Sequence, residues 1–191
     1  MTWQEQLQFF ENGKQWDQAI GLMQHIITQN PHDLQAYLSM NYLLMNLLVE
    51  EDYDRSKRDY YTFLTKKYFD ESYKQFSHNP EYLFYTGRTA VMSEWFFEIE
   101  VKDYEKMLSD ATRLEPDNLL YQWSYYDYLD LNDYENRKKV CAYAKMVLEP
   151  NSPIKKPLLS KGSLGMYLFG LITNWSQGIL EEEHTYSTPV A

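Results

Sequence analysis

Leu114-Glu115-Pro116-Asp117-Asn118 returns 34 residues later as Leu148-Glu149-Pro150-Asn151-Ser152, and how this pair is read decides the fold. Proline lacks an amide hydrogen and clashes with the preceding turn, so it ends a helix interior and restricts the residue before it. Asp, Asn or Ser just beyond it supplies a side-chain oxygen for the exposed amides of a new helix. Each segment is therefore a stop followed by a restart. Gln29-Asn30-Pro31-His32-Asp33 and His78-Asn79-Pro80-Glu81-Tyr82 punctuate the chain in the same way, and the four prolines stand 49, 36 and 34 residues apart.

Between these turns apolar residues recur every three or four positions, the spacing of one helix face. Trp3, Leu7 and Phe10 share one face, with Thr2 and Glu5 placed as a capping box. After a bend at Gly13-Lys14, Trp16, Ala19, Ile20, Met23, Ile26 and Ile27 form a second stripe. Tyr37, Met40, Asn41, Leu44, Leu47 and Leu48 open the next unit, and a long pattern from Tyr61 to Phe76 closes it. The extra length there becomes longer helices or an inserted turn. Tyr82 to Met92 and Val101 to Ala111 predict another pair. Trp95-Phe96-Phe97 between them is too compact for one stripe, so two of the rings pack in opposite directions or one is exposed. Leu120 to Leu129 and Val140 to Leu148 predict a fourth pair, with Asn132 and Glu135 as its capping residues. Ser152-Pro153 offers a start for a short helix, Gly162 and Gly165 permit a bend, and Leu164 to Trp175 form a last apolar face suited to closing an open end.

This arrangement resembles the tetratricopeptide repeat family, a helix pair of 34 residues with a large aromatic early in the first helix, a small residue mid-helix, an aromatic near the hairpin turn, an Ala early in the second helix and a Pro just after it. Trp3, Phe10, Trp16, Ala19 and Pro31 match that order. Leu7 stands where the family prefers Gly, and Tyr68, Tyr104 and Lys138 stand where it prefers Ala. The resemblance covers roughly residues 2 to 150. It implies an all-α fold of antiparallel helical hairpins stacked as a short α-solenoid with a C-terminal capping helix. Residues 1–180 form the single domain of that reading and 181–191 an acidic tail. It also implies a concave side, lined mostly by first helices, that holds a peptide or protein element.

Composition limits the partners. With 28 acidic residues against 18 Lys plus Arg, the net charge of −10 repels a nucleic-acid backbone and favours a protein or peptide with a basic surface. The 18 Tyr, 9 Phe and 5 Trp are too much buriable surface for a disordered chain. A single cysteine, Cys141, excludes an internal disulfide and reads as a small buried hydrophobe. The amino end lacks the basic cluster and apolar run of a secretion signal, and no stretch reaches the length of a membrane span, so cytoplasmic residence and no membrane partner are expected.

No constellation predicts catalysis, a metal or a cofactor. His25, His32, His78 and His184 form no HExxH pair, and Gly162-Ser163-Leu164-Gly165 lacks the lysine and strand context of a phosphate loop. Glu98 with Glu100, and Asp127 with Asp130, are carboxylate pairs on an acidic surface, without a sign of burial that would split their pKa values. Aromatic residues beside acids are the stronger signal. Tyr121, Tyr125 and Tyr128 with Asp127 and Asp130 crowd one helix with more rings than one stripe buries, and Tyr82 and Tyr85 do the same on another. Such tyrosines either present a binding face or are covered on both sides. Glu50, Glu51, Asp52 and Asp54 form one acidic patch, and Glu98, Glu100 and Asp103 another. The expected function is a noncatalytic protein-binding module, in one version an immunity-type inhibitor covering a basic toxin domain, in another a peptide-binding adaptor or assembly chaperone. A divergent helical enzyme ranks behind both.

Overall fold

The computed structural model describes residues 1–129 and 131–177. Among them every regular element is helical, as the periodicity predicts. In chain order the α-helices are α1 (Trp3–Asn12), α2 (Trp16–Gln29), α3 (Leu34–Val49), α4 (Arg58–Phe76), α5 (Pro80–Ala90), α6 (Val101–Leu114), α7 (Leu119–Asp127), α8 (Tyr134–Leu148), α9 (Lys155–Leu159) and α10 (Ser163–Gln177). The described residues form two compact units, one comprising Met1–Leu114 with Lys161–Leu164, the other drawn from 115–160 and 165–177.

The restart chemistry is visible at each turn. Thr2 and Glu5 form the reciprocal capping box of α1. Asp33 accepts from Ala36 N at 3.1 Å, Asn79 from Tyr82 N at 3.0 Å and Asn118 from Leu120 N at 3.1 Å, so a side chain beyond or beside each of the first three prolines caps α3, α5 and α7. Pro80 itself takes the first turn of α5, where its missing amide hydrogen costs nothing. The cap of α8 is Asp133, which accepts from Glu135 N at 2.9 Å, and not Asn132. An N-cap oxygen must stand two or three residues ahead of the amide it meets, and α8 begins at Tyr134. At the first bend the left-handed residue is Lys14, at φ 51°, instead of Gly13. Gly162, at φ 62°, makes the turn before α10, whereas Gly165 lies inside that helix and is buried.

In the first unit α1 packs on α2, α3 on α4 and α5 on α6, and α3 also touches α2 and α5. With three neighbours, α3 is buried on nearly all sides. Leu38, Tyr42, Leu43 and Met45 join the expected stripe of Tyr37, Met40, Asn41, Leu44, Leu47 and Leu48. The core there contains a polar junction. Asn41 Nδ2 donates to Ser72 Oγ at 3.1 Å, and Ser72 Oγ lies 2.8 Å from the Tyr82 hydroxyl, tying α3, α4 and α5 together. Burial pushes the Tyr82 hydroxyl far above its ordinary pKa. The close approach of α6 to α5 depends on Gly87, where a Cβ would stand 2.9 Å from Leu108 Cδ2.

The long second interval is accommodated in both of the expected ways. α3 and α4 run to 16 and 19 residues, and a 3-10 turn at Arg55–Lys57 is inserted between them. Trp95-Phe96-Phe97 lies in another 3-10 turn, which buries Phe96 and Phe97 and leaves Trp95 exposed. Phe97 stacks on Phe69 of α4 with ring centroids 4.5 Å apart. In the second unit α7 packs on α8 around Leu120, Tyr121, Trp123, Val140, Cys141, Ala144 and Val147. Burial raises the Cys141 thiol pKa, in keeping with a packed small hydrophobe.

Candidate protein-binding site

Three first-turn or last-turn positions of first helices converge on one segment of the chain. Gln35 stands in the first turn of α3, where the Asp33 cap fixes the backbone. Glu81 stands in the first turn of α5, where the exposed amides favour a carboxylate. Gln35 Nε2 donates to Glu81 Oε1 at 3.1 Å, which orients the amide so that its oxygen faces Lys161. That oxygen accepts from Lys161 Nζ at 2.6 Å, and the same ammonium donates to Glu81 Oε1. The Tyr85 ring, one turn along α5, lies 5.1 Å from the ammonium.

Gly162 then turns the backbone, and Ser163 Oγ donates to Glu11 Oε2 on α1 at 2.5 Å. The segment Lys161–Leu164 is thus held by α1, α3 and α5, the first members of the three packed pairs in this unit. Only 11% of the Lys161 side chain is exposed, so its charge is largely withdrawn from water and depends on these partners. Burial raises the Glu11 carboxyl above its ordinary pKa, the Ser163 hydroxyl opposes that rise, and nearby Glu51 adds to it.

The sequence-predicted residues separate into covered and open groups. Tyr82, Tyr85 and Tyr121 are buried, so of the two alternatives for these rings the covered one holds. α5 packs against α3 and α6, and α7 against α8, while the Lys161 ammonium lies over the Tyr85 ring, which together cover these residues. Tyr125, Asp127 and Tyr128 are partly exposed. Tyr125 meets Tyr126 edge-on, and Tyr126 stacks on Tyr143 beneath the Lys139 ammonium. Asp130, His184 and the tail 181–191 lie outside the described residues.

The acidic connection after α3 is open but partly neutralised. Glu51 accepts from Lys14 Nζ at 2.9 Å, Asp54 caps the 3-10 turn through Ser56, and the Asp52 carbonyl accepts from Trp16 Nε1 at 3.2 Å. Glu50 and the Asp52 carboxylate remain exposed and form no ion pair among the described residues. Glu98 and Glu100 are exposed, the former 4.0 Å from Lys66 and the latter 2.6 Å from Lys102, and Asp103 accepts from Glu100 N.

A cleft of about 520 Å³ opens between α4, α5 and α6, floored by Phe69, Leu83 and Met107 and rimmed by His78, Lys106, Asp110 and Arg113. Its two cations are both paired with Asp110, at 2.5 and 3.1 Å, which holds that carboxyl below its ordinary pKa. No group of three or more His, Cys, Asp or Glu suited to a metal ion occurs among the described residues. No helix among them is long and apolar enough to cross a membrane.

Sequence reasoning passed over Gln35, Glu81 and Lys161 because each is a single polar residue, the first two in the opening turns of helices and the third in a loop turn. Gln35 and Lys161 are 126 positions apart, a pairing that no local pattern encodes. The chain matches no family model, no curated protein and no solved structure.

Proposed function

We propose that this chain is a noncatalytic protein-binding module, built as a short tetratricopeptide-like stack whose first-helix face receives a basic segment. The packing of α1 with α2, α3 with α4 and α5 with α6, and of α3 with both α2 and α5, supports a hairpin progression in the first unit. The observation that carries the functional reading is the seating of the Lys161 ammonium on Glu81, Gln35 and Tyr85, because a face able to desolvate and hold one lysine has the chemistry to hold another. The net charge of −10 draws such a partner in.

An inhibitor that covers a basic toxin domain is the second reading, favoured by the exposed Glu50 and Asp52, which form no ion pair among the described residues, and by the exposed Glu98 and Glu100. The two readings differ in the area they engage and in their dependence on salt. A peptide in the first-helix face is lost on Glu81→Lys, whereas a broad folded interface is lost on joint reversal of Glu50, Asp52, Glu98 and Glu100 and weakens steeply with ionic strength. Capture of partners on the immobilised full chain and on both variants, at low and at moderate salt, tests them. A partner retained equally by all three proteins rejects both surfaces.

A further inference from the structure

We infer, on the basis of the protein-binding reading above, that Lys161-Gly162-Ser163 is a tethered internal ligand, and that the site it fills is selective for a lysine-bearing peptide with a hydroxyl two residues on. The selectivity follows from the shape of the acceptors. An ammonium offers three hydrogens around a compact centre, and the site offers one carboxylate oxygen, one amide oxygen and one aromatic face. An arginine would present a planar fork best matched by both oxygens of a carboxylate. Here Glu81 Oε1 is already shared between Gln35 and Lys161, so a fork finds no such pair in this orientation.

The second contact sets the spacing. Ser163 Oγ reaches Glu11 on α1 only because Gly162 adopts a left-handed turn, so the pattern read by the face is Lys-Gly-Ser and not an isolated positive charge. An external peptide with this pattern must first displace the internal copy. Its apparent affinity is therefore the intrinsic affinity multiplied by the fraction of molecules in which the site is vacant. The acidic run after α3 is held differently. Lys14, which pairs with Glu51, keeps 62% of its side chain in water.

The test uses a fluorescent peptide copying residues 157–166 and anisotropy titrations against the full chain. Binding to Lys161→Met is expected to be at least about tenfold tighter than to the unmodified chain, which corresponds to a docked fraction above about nine-tenths. Glu81→Gln added to Lys161→Met abolishes that gain, and a peptide with Met in place of its lysine binds neither protein. Equal affinity for the unmodified chain and Lys161→Met overturns the internal-ligand inference while leaving the binding reading in place. A peptide that binds none of the proteins overturns both.

A second measurement needs no substitution. Acylation of the unmodified chain by an amine-reactive ester, followed by mass spectrometry, is expected to modify Lys161 at least about tenfold more slowly than exposed Lys74, since reaction requires the undocked state. Excess peptide raises the Lys161 rate. Equal rates at the two lysines, or a Lys161 rate that saturating peptide leaves unchanged, overturns the inference even if Lys161→Met fails to fold.

Discussion

The Glu81 carboxylate and the acidic run from Glu50 to Asp54 both hold cations, but they do so in different solvents. Glu81 meets an ammonium whose side chain is 11% exposed, beside an amide locked by its own hydrogen bond and above a buried ring. Glu51 meets an ammonium on a side chain that is 62% exposed. Charge separation in water is screened and costs little, whereas the same separation beside low-dielectric walls is expensive. A lone acid with a prearranged shell can therefore select a partner more sharply than a dense acidic stretch, which mainly attracts from a distance.

The largest break in that contrast is expected at Tyr85→Ala. The ring is buried and packs edge-on against Phe84 with centroids 4.9 Å apart, so truncation should cost about 3–5 kcal/mol in denaturant unfolding. A loss under about 1 kcal/mol would mean that the ring is not an essential wall of the site. Glu81→Gln comes next. It leaves the Lys161 ammonium without its carboxylate, and because a third of Glu81 is exposed the expected loss is about 1–3 kcal/mol, below that of a fully buried pair. A double-mutant cycle with Lys161→Met should return a coupling of about 1 kcal/mol or more. Additive effects would place the two groups in solvent and erase the contrast.

A pH series sharpens it further. Glu11 has a raised pKa, chiefly from burial, so just above the ordinary value of 4.5 the folded state keeps a proton that the unfolded chain has released. Its contribution to stability therefore falls as pH rises through that window, with a slope of at most about 1.4 kcal/mol per pH unit. Glu11→Gln removes this slope. Ser163→Ala raises the folded pKa further and extends the slope to higher pH, because the hydroxyl favours the ionised form. A Ser163→Ala profile identical to that of the unmodified chain would show that the hydroxyl does not engage Glu11 in solution. The smallest effect is expected for Lys14→Met, which should leave the melting temperature unchanged within error, its pair with Glu51 being solvent-screened. A clear destabilisation there would make the two acidic regions energetically alike.

Helix positions were legible because their causes are local. The oxygens of Thr2, Asp33, Asn79 and Asn118 sit within a few residues of the amides they cap, and proline acts on its own neighbours. Burial of the tyrosines was less legible. A ring on α5 is read as core or as surface depending on whether a second helix covers it, and the packing of α6 on α5 depends partly on the missing side chain of Gly87. Exposed Trp95 beside buried Phe96 and Phe97 was open to either reading for the same reason, because the three rings share one short turn and only the position of α4 chooses between them.

By itself the sequence determined that this chain is helical, where most helices start and stop, and that its surface carries excess negative charge. Those properties follow from backbone sterics, nearby hydrogen bonds and a sum over charges, none of which needs distant parts of the chain to meet. Only the tertiary structure decided which carboxylate holds a largely buried lysine. Glu81 is one acid among 28 until folding brings Gln35, Tyr85 and Lys161 around it and withdraws the ammonium it holds from water.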